Sequence, residues 1–179
     1  MFPMLKKFKD LFLNKTEKFD FEEQNVTIED QKFALRKAQQ KDAIEYMQIQ
    51  ETIYPIPVPW PIDIVQMEID NKKALYLSLV DDKNVIAFIG VSLSDQVESH
   101  ITNLAVHADY HNMGIGHLLL NEVFKYCRKR HFKKMSLEVD VTNDSALALY
   151  DAFGFKVRTV HKKYYFRNHH DALEMMVDL

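Results

Sequence analysis

Leu104-Ala-Val-His-Ala-Asp-Tyr-His-Asn-Met-Gly-Ile-Gly-His117 is the stretch on which the fold turns. It begins as the end of a strand over residues 99–107 and runs through a short loop. It then opens a helix over 114–130, where Ile115, Leu119, Val123 and Cys127 recur at four-residue steps with Leu118 beside them. A helix start offers unpaired N–H groups and about half a positive charge, which suits a phosphate or pyrophosphate. Gly114 and Gly116 would let such a ligand approach the backbone. The stretch is not a Walker loop, because Gly-Lys-Ser/Thr is missing, and it lacks one glycine of the dinucleotide fingerprint. A tight strand-to-helix turn explains the two glycines equally well.

Outward from this point the elements alternate. Upstream, residues 74–80 and 85–93 read as strands joined by the turn Asp81-Asp82-Lys83-Asn84. Before them come a strand over 33–38, a helix over 41–53 and a helix from Pro61 to 71. The two helices are linked by Tyr54-Pro-Ile-Pro-Val-Pro-Trp-Pro61, whose prolines impose an extended path. This segment is either a rigid connector or a cleft wall presenting Tyr54 and Trp60. Downstream, a strand over 134–141, a helix over 145–153 and strands over 156–165 and 172–178 complete the chain. The order predicts an α/β (α+β) domain over residues 31–179. Its mixed sheet of about six to seven strands has helices on both faces, antiparallel early and with a parallel crossover late. Residues 1–30 read as an extension. Met1, Met4, Leu5, Phe8 and Phe12 mark an amphipathic helix over 1–13, and residues 14–30, with six acids against two lysines, mark an exposed arm.

Composition narrows the function. The chain has 179 residues, 47% of them apolar, enough for one domain with a real core. A net charge of −3 speaks against general nucleic-acid binding. The single cysteine, Cys127, excludes an internal disulfide framework and fits a reducing, cytoplasmic setting. No apolar run approaches the ~20 residues that span a bilayer. Lys6, Lys7 and Lys9 interrupt the place where a signal peptide needs its apolar stretch.

A second constellation is Ser136-Leu-Glu-Val-Asp-Val-Thr-Asn-Asp-Ser-Ala-Leu-Ala-Leu-Tyr-Asp-Ala-Phe-Gly-Phe155. Met135, Leu137, Val139 and Val141 alternate with Ser136, Glu138 and Asp140, so one face enters a core and the other carries two carboxylates. That second face is either a solvated row of charges or the floor of a cleft. Asn143 suits a helix cap. Tyr150 suits a core aromatic, and Gly154 a helix end. Eight histidines invite a metal, yet no His-Glu-x-x-His or comparable set accompanies them, and no metal site is expected. Cys127 reads as a buried thiol on a helix face rather than a nucleophile.

Together the two segments resemble the GNAT superfamily of acetyl-CoA-dependent N-acetyltransferases. Within it they are most similar to the RimI-type enzymes that modify the N-terminal amine of a ribosomal protein. The resemblance runs from Phe33 to Leu179. Ile101-Thr-Asn-Leu-Ala-Val106, the Gly-Ile-Gly loop, Leu137-Glu-Val, Asn143, Ala-Leu-Tyr150, Phe-Gly-Phe155, Lys163-Tyr-Tyr165 and Asp171-Ala-Leu-Glu-Met-Met176 carry it. It implies that the backbones of Leu104, Ala105 and Val106 pair with the pantetheine arm of acetyl-CoA as an extra strand. The N–H groups of Asn112, Met113, Gly114, Ile115, Gly116 and His117 would hold the pyrophosphate, and Asn143 would bond the pantetheine end. Glu138 would be the general base, directly or through water, and Tyr150 the general acid that protonates the leaving thiolate. Tyr164 and Tyr165 would line the cleft for a protein N-terminus, with a ribosomal small-subunit protein as the implied partner. His111 stands where the family usually has Gln or Arg, and Asn112 often has a basic counterpart, which leaves more of the phosphate to backbone amides. Two rivals stay open: a GNAT enzyme for a small amine, and a non-catalytic module that binds CoA.

Simple acid–base arithmetic bears on the acceptor. At pH 7, deprotonating an α-amine costs about 1 kcal/mol, against about 4.6 kcal/mol for a lysine side chain. One carboxylate can meet the smaller cost, which favours an N-terminal amine.

Overall fold

The computed structural model describes residues 19–54, 58, 60–95, 97–165 and 168–179. The helix expected over 1–13 and much of the proline segment lie outside the described residues. The strands are β1 Gln24–Ile28, β2 Gln31–Lys37, β3 Ala74–Val80, β4 Val85–Ser92, β5 Glu98–Val106, β6 Lys134–Asp140, β7 Lys156–His161 and β8 Ala172–Asp178. The helices are α1 Asp42–Ile53, α2 Ile62–Asp70, α3 Ile115–Lys129 and α4 Asp144–Ala152, with a 3-10 turn at Ala108–Tyr110. They form one eight-stranded sheet in the order β1-β2-β3-β4-β5-β6-β8-β7. Every neighbouring pair is antiparallel except β5 with β6.

The sheet exceeds the expected six to seven strands because residues 24–28 pair with β2. The reading of 14–30 as an exposed arm is corrected for residues 19–30, residues 14–18 lying outside the described residues. Acids flank this short strand and mask its alternation, Val26 and Ile28 against Asn25 and Thr27. Glu29 and Asp30, both at positive φ, make the turn into β2, and Phe19 and Phe21 pack on the core. The ordered domain therefore starts earlier than residue 31. β7 is also shorter than the expected 156–165, since residues 162 and 163 already turn.

One sheet face packs on α3 and α4. Leu77, Leu79, Ile89, Leu119, Leu120, Leu137 and Phe155 are buried there, and burial of each such side chain stabilises by roughly 1.5–3 kcal/mol. The opposite face carries a second core of Tyr46, Ile49, Trp60, Val65, Tyr76 and Phe88. Trp60 is thus a core residue. Its N–H and C=O both bond the Gln50 side chain, at 3.2 and 3.4 Å.

The parallel pair decides where a site can form. β5 and β6 pair only from Glu98↔Lys134 to Ile101↔Leu137. Immediately beyond, β5 carries a bulge: Gly90 faces Asn103 while Val91 faces Ile101, which leaves Thr102 as the extra residue. A bulge bends its strand, and β5 departs from β6 at this point. β6 continues alongside β8 to Asp140↔Ala172. A gap is left in the middle of an otherwise continuous sheet.

Candidate active site

The gap has a defined hydrogen-bonding edge. His107 N–H donates to Ile86 O at 2.8 Å. Antiparallel partners alternate between bonded and non-bonded pairs, so the pair Ala105–Phe88 is also bonded. The backbone groups of Leu104 and Val106 then point into the gap. Ala105, expected with them, turns its N–H and C=O to β4 instead. The Val106 carbonyl is already taken, because His111 Nε2–H donates to it at 2.9 Å. Thr102, at the bulge, shares a hydrogen with the Tyr76 hydroxyl at 2.9 Å.

At one end of the gap lies the loop into α3. Asn112 and Gly114 both adopt positive φ, 64° and 75°. Gly114 caps the helix, and the first turn contains no acid. The positive end of the helix is therefore not neutralised from within. Met113 and Ile115 anchor this turn to the α3-side core. Gly116 lies where α4 presents Leu149, and the His117 ring sits 5.8 Å from Phe153.

At the other end β6 delivers Glu138. It is one residue past the last β5–β6 pair, Ile101↔Leu137, and stands directly opposite Glu174 of β8. Its side chain is only 11% exposed, and its Oε2 lies 2.9 Å from His100 Nε2. His100 Nδ1 is 2.9 Å from Ser136 Oγ, which donates to Glu98 Oε1 at 2.5 Å. Arg158 of β7 binds both oxygens of Glu98, at 3.1 and 3.2 Å, and also binds Glu174. His161 Nε2 meets Glu174 Oε2 at 2.8 Å. Burial would raise the Glu98 carboxyl, but the Arg158 and Ser136 hydrogen bonds outweigh it and hold it below the usual carboxylate range.

Aromatic groups border this polar floor. Tyr164 and Tyr165 meet edge to face at 5.3 Å. Burial pushes both phenols up, and the Glu138 charge adds to it. Tyr150 is 7% exposed on α4, 5.6 Å from the Phe155 ring. Burial, with help from Tyr54, keeps its phenol protonated well above the ordinary value. Asn143 Oδ1 accepts from Ala146 N–H at 3.1 Å as the cap of α4, which leaves its amide N–H₂ for a ligand.

Sequence reasoning singled out Glu138 and did not single out its neighbours His100, Glu98, Arg158, His161 and Glu174. Signals existed: Glu98 and His100 alternate with buried Ser99 and Ile101, and Glu174 interrupts an apolar strand. The ligand atoms of Glu138, His161 and Glu174 lie within 4.8 Å of one another. However, Arg158 and His161 already occupy the Glu174 carboxylate, and a guanidinium there opposes a cation. Cys127 is fully buried, and burial pushes its thiol up to about 11.

The gap thus brings together a free strand edge, the acid-free start of α3 and the nearly buried Glu138 carboxylate. Residues 41–155 match the acetyltransferase (GNAT) family model. The chain belongs to that family and is an acyltransferase; acetyl-CoA is the family's acetyl donor. It is 29% identical over 149 residues to a Bacillus subtilis (strain 168) protein with the provisional name ribosomal protein bS18-alanine N-acetyltransferase, covering 83% of this chain and 97% of that one. It is 30% identical over 111 residues to ribosomal protein bS18-alanine N-acetyltransferase of Salmonella typhimurium (strain LT2), covering 61% and 74%. Its fold matches the crystal structure of the ribosomal-protein-S18-alanine N-acetyltransferase from Escherichia coli with a TM-score of 0.73 at 24% identity, over 82% of this chain and 93% of that one. Among the described residues no helix is long and apolar enough to cross a membrane.

Proposed function

We propose that this chain transfers acetyl from acetyl-CoA to the N-terminal α-amine of a protein, with a ribosomal small-subunit protein in the cytoplasm as the target. The observation that carries this is the position of Glu138: a nearly buried carboxylate at the point where β5 and β6 separate, opposite Glu174 and 2.9 Å from His100. The names of the two relatives support the choice of acceptor.

Acetyl-CoA, when bound, supplies an acetyl carbon activated as a thioester. The chain's own groups do the rest. Leu104 N–H and C=O and Val106 N–H bind the arm as an added strand would. The N–H groups from Asn112 to His117 hold the pyrophosphate, and Asn143 donates its remaining amide hydrogens. Glu138 takes the proton of the incoming amine, directly or through a water. Tyr150, still protonated because it is buried, gives its proton to the departing sulfur. Tyr164 and Tyr165 line the acceptor's path.

Substitution tests these roles. E138Q and Y150F should each lower kcat by about 10²–10⁴-fold, while CoA affinity measured by calorimetry stays within about twofold. Unchanged rates in both variants would remove the assigned roles. A panel of peptides with free N-termini, set against polyamines and amino sugars, tests the acceptor. Saturable transfer to free amines alone rejects the protein N-terminus, and tight CoA binding with no transfer rejects an enzyme.

A further inference from the structure

We infer that the proton acceptor in this site is a couple, His100 with Glu138, rather than the carboxylate alone; this rests on the acetyl-transfer function proposed above. The hydrogens can be counted. Ser136 has one hydroxyl hydrogen, and it is directed to Glu98 Oε1. Glu98, clamped by both Arg158 nitrogens, is ionised and can only accept. Ser136 must then accept from His100, so His100 Nδ1 carries a hydrogen. On the other side of the ring, Nε2 lies 2.9 Å from Glu138 Oε2. Two bare lone pairs would not approach so closely, so a hydrogen lies between them. The arrangement is that of the couple after it has acquired a proton. Without that proton, the ring keeps its Nδ1–H, held by Ser136, and aims the Nε2 lone pair at the carboxylate.

The couple therefore offers the amine a carboxylate backed by an imidazole, a side chain that can take up a proton on one ring nitrogen while the other stays bonded. During transfer the N–C bond forms and the C–S bond breaks. The amine's proton passes to Glu138 and is shared with His100, while the sulfur takes one proton from Tyr150. The couple ends one proton up and the phenol one down, and solvent restores both. Charged and titratable groups face the couple from each neighbouring element. Among the described residues they include Glu98 on β5, Asp140 on β6, Arg158 and His161 on β7, Glu174 on β8, and Tyr164 and Tyr165 after β7. His100 acts through Glu138 and is a positioning residue.

Two measurements test this on the full chain. Nitrogen-15 NMR of histidine-labelled protein, with H100Q identifying the ring, should find the neutral His100 as its Nδ1–H tautomer. The acid limb of kcat, measured with saturating peptide and acetyl-CoA, should follow the titration of that same ring. In H100Q the limb should move to lower pH and the optimal kcat fall about 10–100-fold. S136A leaves the imidazole in place; it should let the neutral ring populate both tautomers and should also displace the limb. A bare Nδ1 in the neutral ring, or a limb unmoved by both variants, overturns the couple while leaving the acetyl-transfer function intact. Absence of transfer to every amine overturns that function and the couple's role with it.

Discussion

Asp42 is 1% exposed and still ionised. Burial alone would raise its carboxyl. Two bonds from Arg36, at 2.6 and 3.0 Å, with the Gln39 N–H and the Ser78 hydroxyl, outweigh burial and hold it below the ordinary 3.8. The same Ser78 oxygen meets the Tyr46 hydroxyl at 2.9 Å, so the cluster fixes α1 against β2 and β3. D42N should cost about 3 kcal/mol in urea unfolding at pH 7, because it strands the Arg36 charge. The pH dependence has a definite sign. A depressed carboxyl stabilises above its unfolded value and loses that contribution as pH falls through its folded value. The gap between wild type and D42N should accordingly narrow only below about pH 3.8; a gap that is constant down to pH 2.5 would mean that Asp42 is not held ionised. Glu138, Asn143 and Tyr150 could be singled out from the sequence because the motifs that carry the family resemblance contain them. His100, Glu98 and Arg158 could not. Alternation tells which face a residue occupies, but it does not tell which residues of four different strands share that face. Their meeting depends on the register of β5, β6, β8 and β7.

At the scale of the elements, most boundaries were legible because turns and apolar periods mark them. β3 falls at Ala74–Val80 as expected, and α3 differs from the predicted 114–130 by one residue at each end. β1 escaped because five residues between acidic flanks carry too little periodicity. Gly114 and Gly154 end or begin helices in the same left-handed conformation, φ 75° and 84°. Each should lose about 1 kcal/mol on replacement by alanine, from backbone strain alone. They differ in surroundings. An added Cβ at Gly114 meets no protein atom within 4 Å, at the open start of α3; at Gly154 it meets Val177 at 3.8 Å, an ordinary contact. G114A and G154A should therefore show similar falls in Tm. Only G114A should weaken CoA binding, by about tenfold, a loss of about 1.4 kcal/mol. Equal CoA affinities in the two variants would remove α3's N-terminus from the binding site.

The whole molecule is one sheet whose halves are joined through four residue pairs, from Glu98↔Lys134 to Ile101↔Leu137. One core runs across both halves on the α3 and α4 face, a second lies on the opposite face of the β2–β5 half, and the bulge at Thr102 bends β5 away from β6. The exposed strand edge is normally a liability, since its unpaired N–H groups invite another strand. Here it lies between two strands of one sheet, beside the start of α3. The sequence could suggest a parallel crossover, but it could not reveal the gap, which depends on a one-residue slip between β4 and β5. The slip makes a residue-by-residue forecast for amide exchange. Ala105 N–H is bonded to β4, so its exchange should be slow in the free protein and change little on addition of CoA. Leu104 and Val106 have no partner for their N–H groups among the described residues, and both should exchange faster than Ala105. Adding CoA should slow both by tenfold or more, which corresponds to about 1.4 kcal/mol of added protection. Protection gained at Ala105 instead, or at none of the three, would mean that the gap between β5 and β6 is not where the extended arm lies.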